Sequence, residues 1–277
     1  MPRSEHQDGS ETVAGIPIRW VARNLTADGA GRGVALWLPF LGGTKDTVLP
    51  MLERLADAGF FAVSFDPWQH GDRSTESPAE LRDRLLGAFR HDMWPVIGQS
   101  TLDAMWVLDW IIAHHDVPAD QVVAGGFSMG GDIAVALAGI DHRVRRVATI
   151  GSTPDWTRPG MRNLDGSGDL VDQGAPNAYG RWLYAQLDPI THPQHFAHGP
   201  AILFESGQDD DHVPVKAAHR FAQALARQSP RATETITIRV TEGLAHIEAV
   251  RNPDAVDRCI QWLSVPKKQP ASKPGAA

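Results

Sequence analysis

The chain of 277 residues contains one cysteine, Cys259, so no disulfide can form within it. Cys259 lies in an apolar helical pattern over 256–263 and reads as a buried thiol acting as a small hydrophobe. Runs of cations are also scarce. None is longer than a pair, such as Lys267-Lys268 in the tail, and the net charge of −7 with a pI near 5.9 argues against a nucleic-acid partner. No apolar run reaches the roughly 18 residues that a membrane helix needs, so no membrane partner is expected. The first residues, Met-Pro-Arg-Ser-Glu-His-Gln-Asp, are polar and mixed in charge, unlike a signal peptide, and a cytoplasmic location is the expectation. What remains is an ordinary globular composition, 42% hydrophobic and 21% charged, on a chain long enough to bury a sizeable core.

The ends are poor in apolar residues. Residues 1–12 are expected to be flexible and 266–277 disordered, leaving one domain over 13–265. Ile16, Ile18 and Trp20 alternate as in a half-buried edge strand. Val34–Leu38, Phe61–Phe65 and Val122–Phe127 are largely apolar runs, the pattern of strands covered on both faces, while Val144–Ile150 reads as a fourth strand and 201–204 as a fifth. Helical spacing appears at Leu49, Leu52, Leu55 and Ala56 before Gly59. It recurs at Leu81, Leu85, Phe89 and Met93, and again at Leu102, Met105, Trp106 and Ile112, with Pro95 expected to kink or divide the last two. Later segments read as a helix over 215–225, a strand over 235–240 and a helix over 254–263. The alternation predicts an α/β fold with a mostly parallel sheet and helices on both faces. Residues 152–200 break the rhythm, rich in Gly, Pro, Asp and Asn with one helical pattern at Tyr179, Trp182, Leu183 and Leu187. They read as an insertion, a lid over the top of the sheet.

Gly126-Phe127-Ser128-Met129-Gly130 sits where an apolar strand meets a helix of small residues. Small neighbours permit the strained turn that lifts a serine hydroxyl out of the backbone, which makes Ser128 the candidate nucleophile. A serine hydroxyl needs a base and a group to orient that base. His246, in a loop directly after the 235–240 strand, stands at the carboxyl end of the sheet, where ligands bind in open α/β folds. For the acid, Asp209, Asp210 and Asp211 are adjacent after the 201–204 strand. At most one orients the base, and the others are expected to cap the helix that follows. With His212 the three form a cluster of metal-ligand chemistry, but consecutive residues converge poorly on one ion, so no metal and no cofactor is expected. Two backbone N–H groups are needed for the oxyanion, one from Met129 and one from the Pro39-Phe40-Leu41-Gly42-Gly43 loop, with Leu41 preferred to Phe40.

Together these segments, from Val34 to Leu263, resemble the α/β-hydrolase superfamily, on the side of small bacterial carboxylesterases of the dienelactone hydrolase and prolyl oligopeptidase-like group. Residues 39–45 resemble the His-Gly-x-Gly-Gly oxyanion loop, with Pro39-Phe40 in place of His-Gly. Residues 66–74 resemble Asp-x-x-x-His-Gly-x-x-Ser, a resemblance that makes His70 a residue holding its loop in shape rather than a second base. Residues 207–214 resemble Gly-x-x-Asp-x-x-Val-Pro, which implies Asp210 as the acid.

The resemblance implies an α/β-hydrolase fold and a serine hydrolase acting on a small-molecule ester through an acyl-enzyme. Thioesterase, lactonase, acyltransferase or peptidase chemistry with the same triad are the alternatives, and a non-enzymatic binding protein on this scaffold is the reading from another class. A homodimer is compatible with the sequence. Trp68, Trp156, Trp182 and Tyr179, on loops or in the insertion, are expected near the mouth of the site, with Phe40, Trp68 and Trp156 as candidate substrate contacts.

Overall fold

The structure, a computed structural model, describes residues 7–23, 32–115, 117–228 and 235–265. The expected disordered tail and residues 1–6 lie outside the described residues. Eight strands form one sheet: β1 (Gln7–Val13), β2 (Ile16–Ala22), β3 (Val34–Leu38), β4 (Phe61–Phe65), β5 (Val122–Phe127), β6 (Val144–Ile150), β7 (Ala201–Gly207) and β8 (Ile236–Thr241). Their order is β1-β2-β4-β3-β5-β6-β7-β8. β1 and β2 run antiparallel to their neighbours, while β4 to β8 pair in parallel.

Alternation along the buried strands divides the core between two faces. Leu36, Leu38, Val63 and Ala124 face α3 (Phe89–His114) and α4 (Met129–Ile140). Ala35, Trp37, Ala62 and Val123 face α1 (Leu49–Asp57) and α8 (Pro253–Leu263). Cys259 is fully buried in the second layer. No helix among the described residues is long and apolar enough to cross a membrane.

Two expectations are corrected. Residues 7–12 do not fray: they belong to β1, and β1 rather than β2 is the edge strand. Its side chains are mostly exposed, so hydrophobicity does not announce it. The strand is held instead by backbone pairing from Gln7↔Ala22 to Val13↔Ile16. Ala14 and Gly15, both with positive φ, close the tight hairpin, and Trp20 lies against Gly9, where a Cβ would come within 2.6 Å of the indole.

The second correction concerns Pro95. It neither divides nor ends the helix; α2 (Pro78–Gly87) gives way to α3 at Ala88, and Pro95 lies inside α3. Proline cannot donate to the carbonyl four residues back. That carbonyl, of His91, accepts instead from Asn177 Nδ2 at 2.8 Å, while Asn177 Oδ1 caps α5 (Ala178–Leu187) by accepting from Gly180 N at 2.7 Å. One side chain therefore starts α5 and repairs α3.

The insertion is anchored on the body of the fold, and its Arg158 and Leu164 line a cavity. Its α5 packs on the flank of α3, with Trp94 and Tyr184 stacked at 4.2 Å. Trp156 is fully buried, its carbonyl accepting from Trp94 Nε1 at 3.0 Å and its N–H donating to Asp188 Oδ1 at 2.8 Å. Asp188 is itself fully buried, and its Oδ2 has no partner among the described residues. Burial pushes its carboxyl up to about 7, with Asp155 adding to the rise and the Trp156 N–H opposing it.

Two outcomes are expected. Asn177→Ala should lower stability by about 1–2 kcal/mol, read as a urea midpoint, since it removes a cap and leaves the His91 carbonyl unpaired. For Asp188, the unfolded carboxyl ionises near 4 and the folded one near 7, so the native state holds the extra proton between them. Stability therefore falls as pH rises through that window. Asp188→Asn should raise stability at pH 8, on the order of 2–4 kcal/mol, with little gain at pH 4, measured by urea unfolding at both.

Candidate active site

Ser128 stands between β5 and α4 with φ 49° and ψ −118°, a left-handed conformation that a side chain rarely adopts. The turn is possible because Gly126 and Gly130, two residues away on either side, have no Cβ. A methyl on Gly126 would lie 2.3 Å from the Gly130 carbonyl carbon, and one on Gly130 would lie 2.3 Å from Leu38 O. The strained residue is tied down on both sides. Its N–H donates to Ile150 O at 2.9 Å, and its carbonyl accepts from Ser152 Oγ at 2.9 Å and from the N–H of Gly131.

The structure brings Ser128, His246 and Asp210 together. Ser128 Oγ lies 3.0 Å from His246 Nε2, and His246 Nδ1 lies 2.8 Å from Asp210 Oδ2. All three are buried. His246 opens a short helix, α7 (His246–Val250), that the sequence reading placed in a loop. Gly207 lets that loop close over the end of β7, since a Cβ there would be 2.1 Å from Leu244 O. Asp210 Oδ1 accepts from the N–H groups of Val213 at 2.7 Å and His212 at 3.1 Å, in the turn that precedes α6 (Lys216–Gln228). Asp209 and Asp211 are exposed.

A cavity of about 330 Å³ opens over this group. Phe40, Leu41 and Met129 line it, as do Leu86, Met93, Phe127, Leu164, Ile247 and Val250. The N–H of Met129 is the first of α4 and so has no acceptor within the helix. Trp68 and Trp156 are not brought to the cavity. Trp156 is consumed by the core, and Trp68 packs near Tyr179 on the α3–α5 flank with its N–H on Ser100 Oγ. Trp182 is exposed and outside the cavity lining too.

The charged residues in the cavity's described lining are Arg82, Arg158 and Arg251, of which Arg82 and Arg251 are exposed. Arg158 comes from the insertion and is almost fully buried. It pairs with Asp132, in the first turn of α4, whose other oxygen accepts from Thr153 N at 2.7 Å. His212 also lines the cavity, its ring 5.0 Å from that of His246. Burial, with Arg158 and His246 adding to it, drops His212 to about 3, so the ring is neutral in ordinary buffers. None of these was singled out from sequence except His212, as part of the Asp-Asp-Asp-His run. Asp132 and Arg158 meet only through the fold.

Opposite, Asp66 ties the two loops that resemblance had marked. Its carboxylate accepts from Lys45 N at 2.9 Å, Lys45 Nζ at 3.0 Å and Asp72 N at 2.9 Å. Burial disfavours the Lys45 ammonium, but hydrogen bonds to Asp72 and Asp66 outweigh it and hold the pKa above the usual lysine range. His70 is fully buried with Nδ1 3.0 Å from Trp68 O, inside its own loop and away from the triad geometry.

A family model described as alpha/beta hydrolase fold matches residues 40–198, more than half of the chain. The chain belongs to the alpha/beta hydrolase fold family. YtaP of Bacillus subtilis (strain 168), described as a hydrolase, is 29% identical over 93 residues, which is 34% of this chain and 30% of that protein. A puromycin-hydrolyzing peptidase of Mycobacterium tuberculosis aligns with TM-score 0.68 and 17% identity over 92% of this chain, but only 38% of the peptidase. The Pyrococcus furiosus esterase Pf2001 aligns with TM-score 0.62 and 16% identity, over 94% of this chain and 92% of the esterase. As an α/β-hydrolase fold the chain has its cavity at the carboxyl ends of the parallel strands.

Removing one partner of a buried ion pair leaves the other uncompensated, at a cost of about 3–5 kcal/mol. Arg158→Met is therefore expected to lower stability by about that amount, read from a urea midpoint, whereas Arg82→Met at the exposed mouth should change it by less than about 0.5 kcal/mol.

Proposed function

We propose that this α/β-hydrolase is a serine hydrolase that cleaves a carboxylic ester of a small molecule through an acyl-enzyme. The observation that carries this reading is the unbroken line from Ser128 Oγ to His246 to Asp210, at 3.0 and 2.8 Å, on the floor of a largely apolar cavity.

In the proposed cycle Ser128 Oγ attacks the ester carbonyl carbon while His246 Nε2 takes the hydroxyl proton. Asp210 accepts from His246 Nδ1–H, which keeps Nε2 as the basic nitrogen and stabilises the imidazolium that forms. The N–H groups of Met129 and Leu41 receive the oxyanion, and the surrounding arginines favour the same charge. Collapse of the tetrahedral species breaks the C–O bond, and the alcohol leaves with the proton from His246. Water then attacks the acyl-Ser128, giving its proton to His246, and the carboxylic acid departs as Ser128 recovers its hydrogen.

A cavity of this size suits a short acyl group better than a peptide chain. Similarity to the esterase over nearly its whole length supports the ester reading, while the peptidase is matched over a minor part of its length. Thioesters and lactones offer the same carbonyl to the same triad and belong in the substrate panel.

Ser128→Ala is expected to abolish hydrolysis of p-nitrophenyl butyrate, by at least about 10³-fold, and labelling by a fluorophosphonate, with an unchanged circular dichroism spectrum. Turnover that survives the substitution refutes the assignment.

A further inference from the structure

The proposed triad leaves one polar group of the cavity without a task. His212 follows the triad acid by two residues, and its backbone N–H is fixed on Asp210 Oδ1 at 3.1 Å. Its ring is fixed as well: Nδ1 lies 2.8 Å from Arg162 O. A carbonyl oxygen only accepts, so Nδ1 carries the hydrogen. Nε2 of a neutral ring is then a bare lone pair. The neighbouring charge of Arg158 and the burial of the ring oppose a second proton. Nε2 is also reachable. The side-chain atoms sealed from solvent without a partner include Nε2 of His70, His115 and His198, but not that of His212, whose ring lines the cavity. A hydrogen-bond acceptor of fixed direction thus stands beside the triad, in a wall that otherwise offers apolar groups and cationic donors.

We infer that His212 is a specificity-determining residue whose Nε2 accepts a hydrogen bond from a hydroxyl or N–H on the acyl portion of the substrate. This rests on the serine-hydrolase reading of Ser128. The acyl portion is the part that remains bound at Ser128 through both half-reactions, so a fixed acceptor beside the triad serves it in each. The ring centroids of His212 and His246 are 5.0 Å apart, so a donor near the reacting carbonyl, on its α or β carbon, is the first to test. A plain alkanoyl ester fills the same space and leaves the lone pair unpaired, the situation in which a buried polar group discriminates against the analogue that lacks its partner.

The test compares kcat/KM for p-nitrophenyl butyrate with that for its 2-hydroxy and 3-hydroxy counterparts, in the wild type, His212→Phe and His212→Gln. Phenylalanine keeps the ring and removes the acceptor, whereas glutamine sets a carbonyl oxygen near the position of Nε2. The ratio is the readout because any indirect effect on His246 divides out of it. The wild type is expected to favour one of the hydroxy esters roughly tenfold. His212→Phe should bring that ratio to about one, and His212→Gln should restore part of it. Fluorophosphonate labelling of each protein reports whether the Ser128 site is intact. Labelled proteins with the same ratio in all three, or a labelled wild type with no preference for either hydroxy ester, overturn the role of His212 and leave the serine-hydrolase reading standing. A wild type that neither labels nor turns over any of the esters overturns both.

Discussion

A single residue with positive φ organises this molecule. Ser128 leaves β5 and enters α4 through a conformation that its own Cβ resists, and it stays there because everything around it has been cleared or braced. Gly126 and Gly130 remove the clashes with the helix and with β3. Gly131 lets the segment after β6 approach, since a Cβ there would collide with Ser152 Oγ, the group that holds the Ser128 carbonyl. The strain is local and the bracing is not. β3, β6 and the insertion each supply part of it, so the position of one hydroxyl depends on elements far apart in sequence.

The same logic governs the charges. Two buried ion pairs flank the site, Lys45 with Asp66 and Arg158 with Asp132, and each joins a loop to a part of the core. Lys45 belongs to the loop that carries Leu41, and Asp66 terminates β4. Arg158 belongs to the insertion, and Asp132 to the helix that follows Ser128. Pairs of this kind add little net stability over well-packed hydrocarbon, but they fix which loop lies where. Arg82 and Arg251 remain exposed at the cavity, where neutral His212 and the line of hydrogen bonds through His246 offer acceptors.

Much of the architecture was legible before any coordinate. Strands covered on both faces are mostly apolar, so β3, β4 and β5 stand out in the sequence at their observed bounds, whereas β6 carries Arg145 and Arg146 at its less buried start. Ser128 was legible because its turn demands glycines at fixed offsets. β1 was not, because an exposed edge strand needs only backbone partners and can be as polar as a loop. The continuity of α3 through Pro95 was not, because the group that repairs it, Asn177, is 82 residues away in sequence and recognisable only once α5 docks. The tryptophans misled for a related reason. A large amphipathic ring in an irregular segment looks available, yet Trp156 is the anchor that fastens the insertion to the core.

Sequence alone determined the α/β layering and singled out Ser128 and His246 as candidates, since periodicity and glycine spacing are local consequences of backbone geometry. From three adjacent aspartates it narrowed the acid to Asp210 only by resemblance. Tertiary structure decided the rest. It turned Asp210 toward His246 while Asp209 and Asp211 face solvent, paired Asp132 with Arg158, and chose which side chains wall the cavity. These outcomes depend on distances between segments that are remote along the chain, and no periodicity within a segment encodes them.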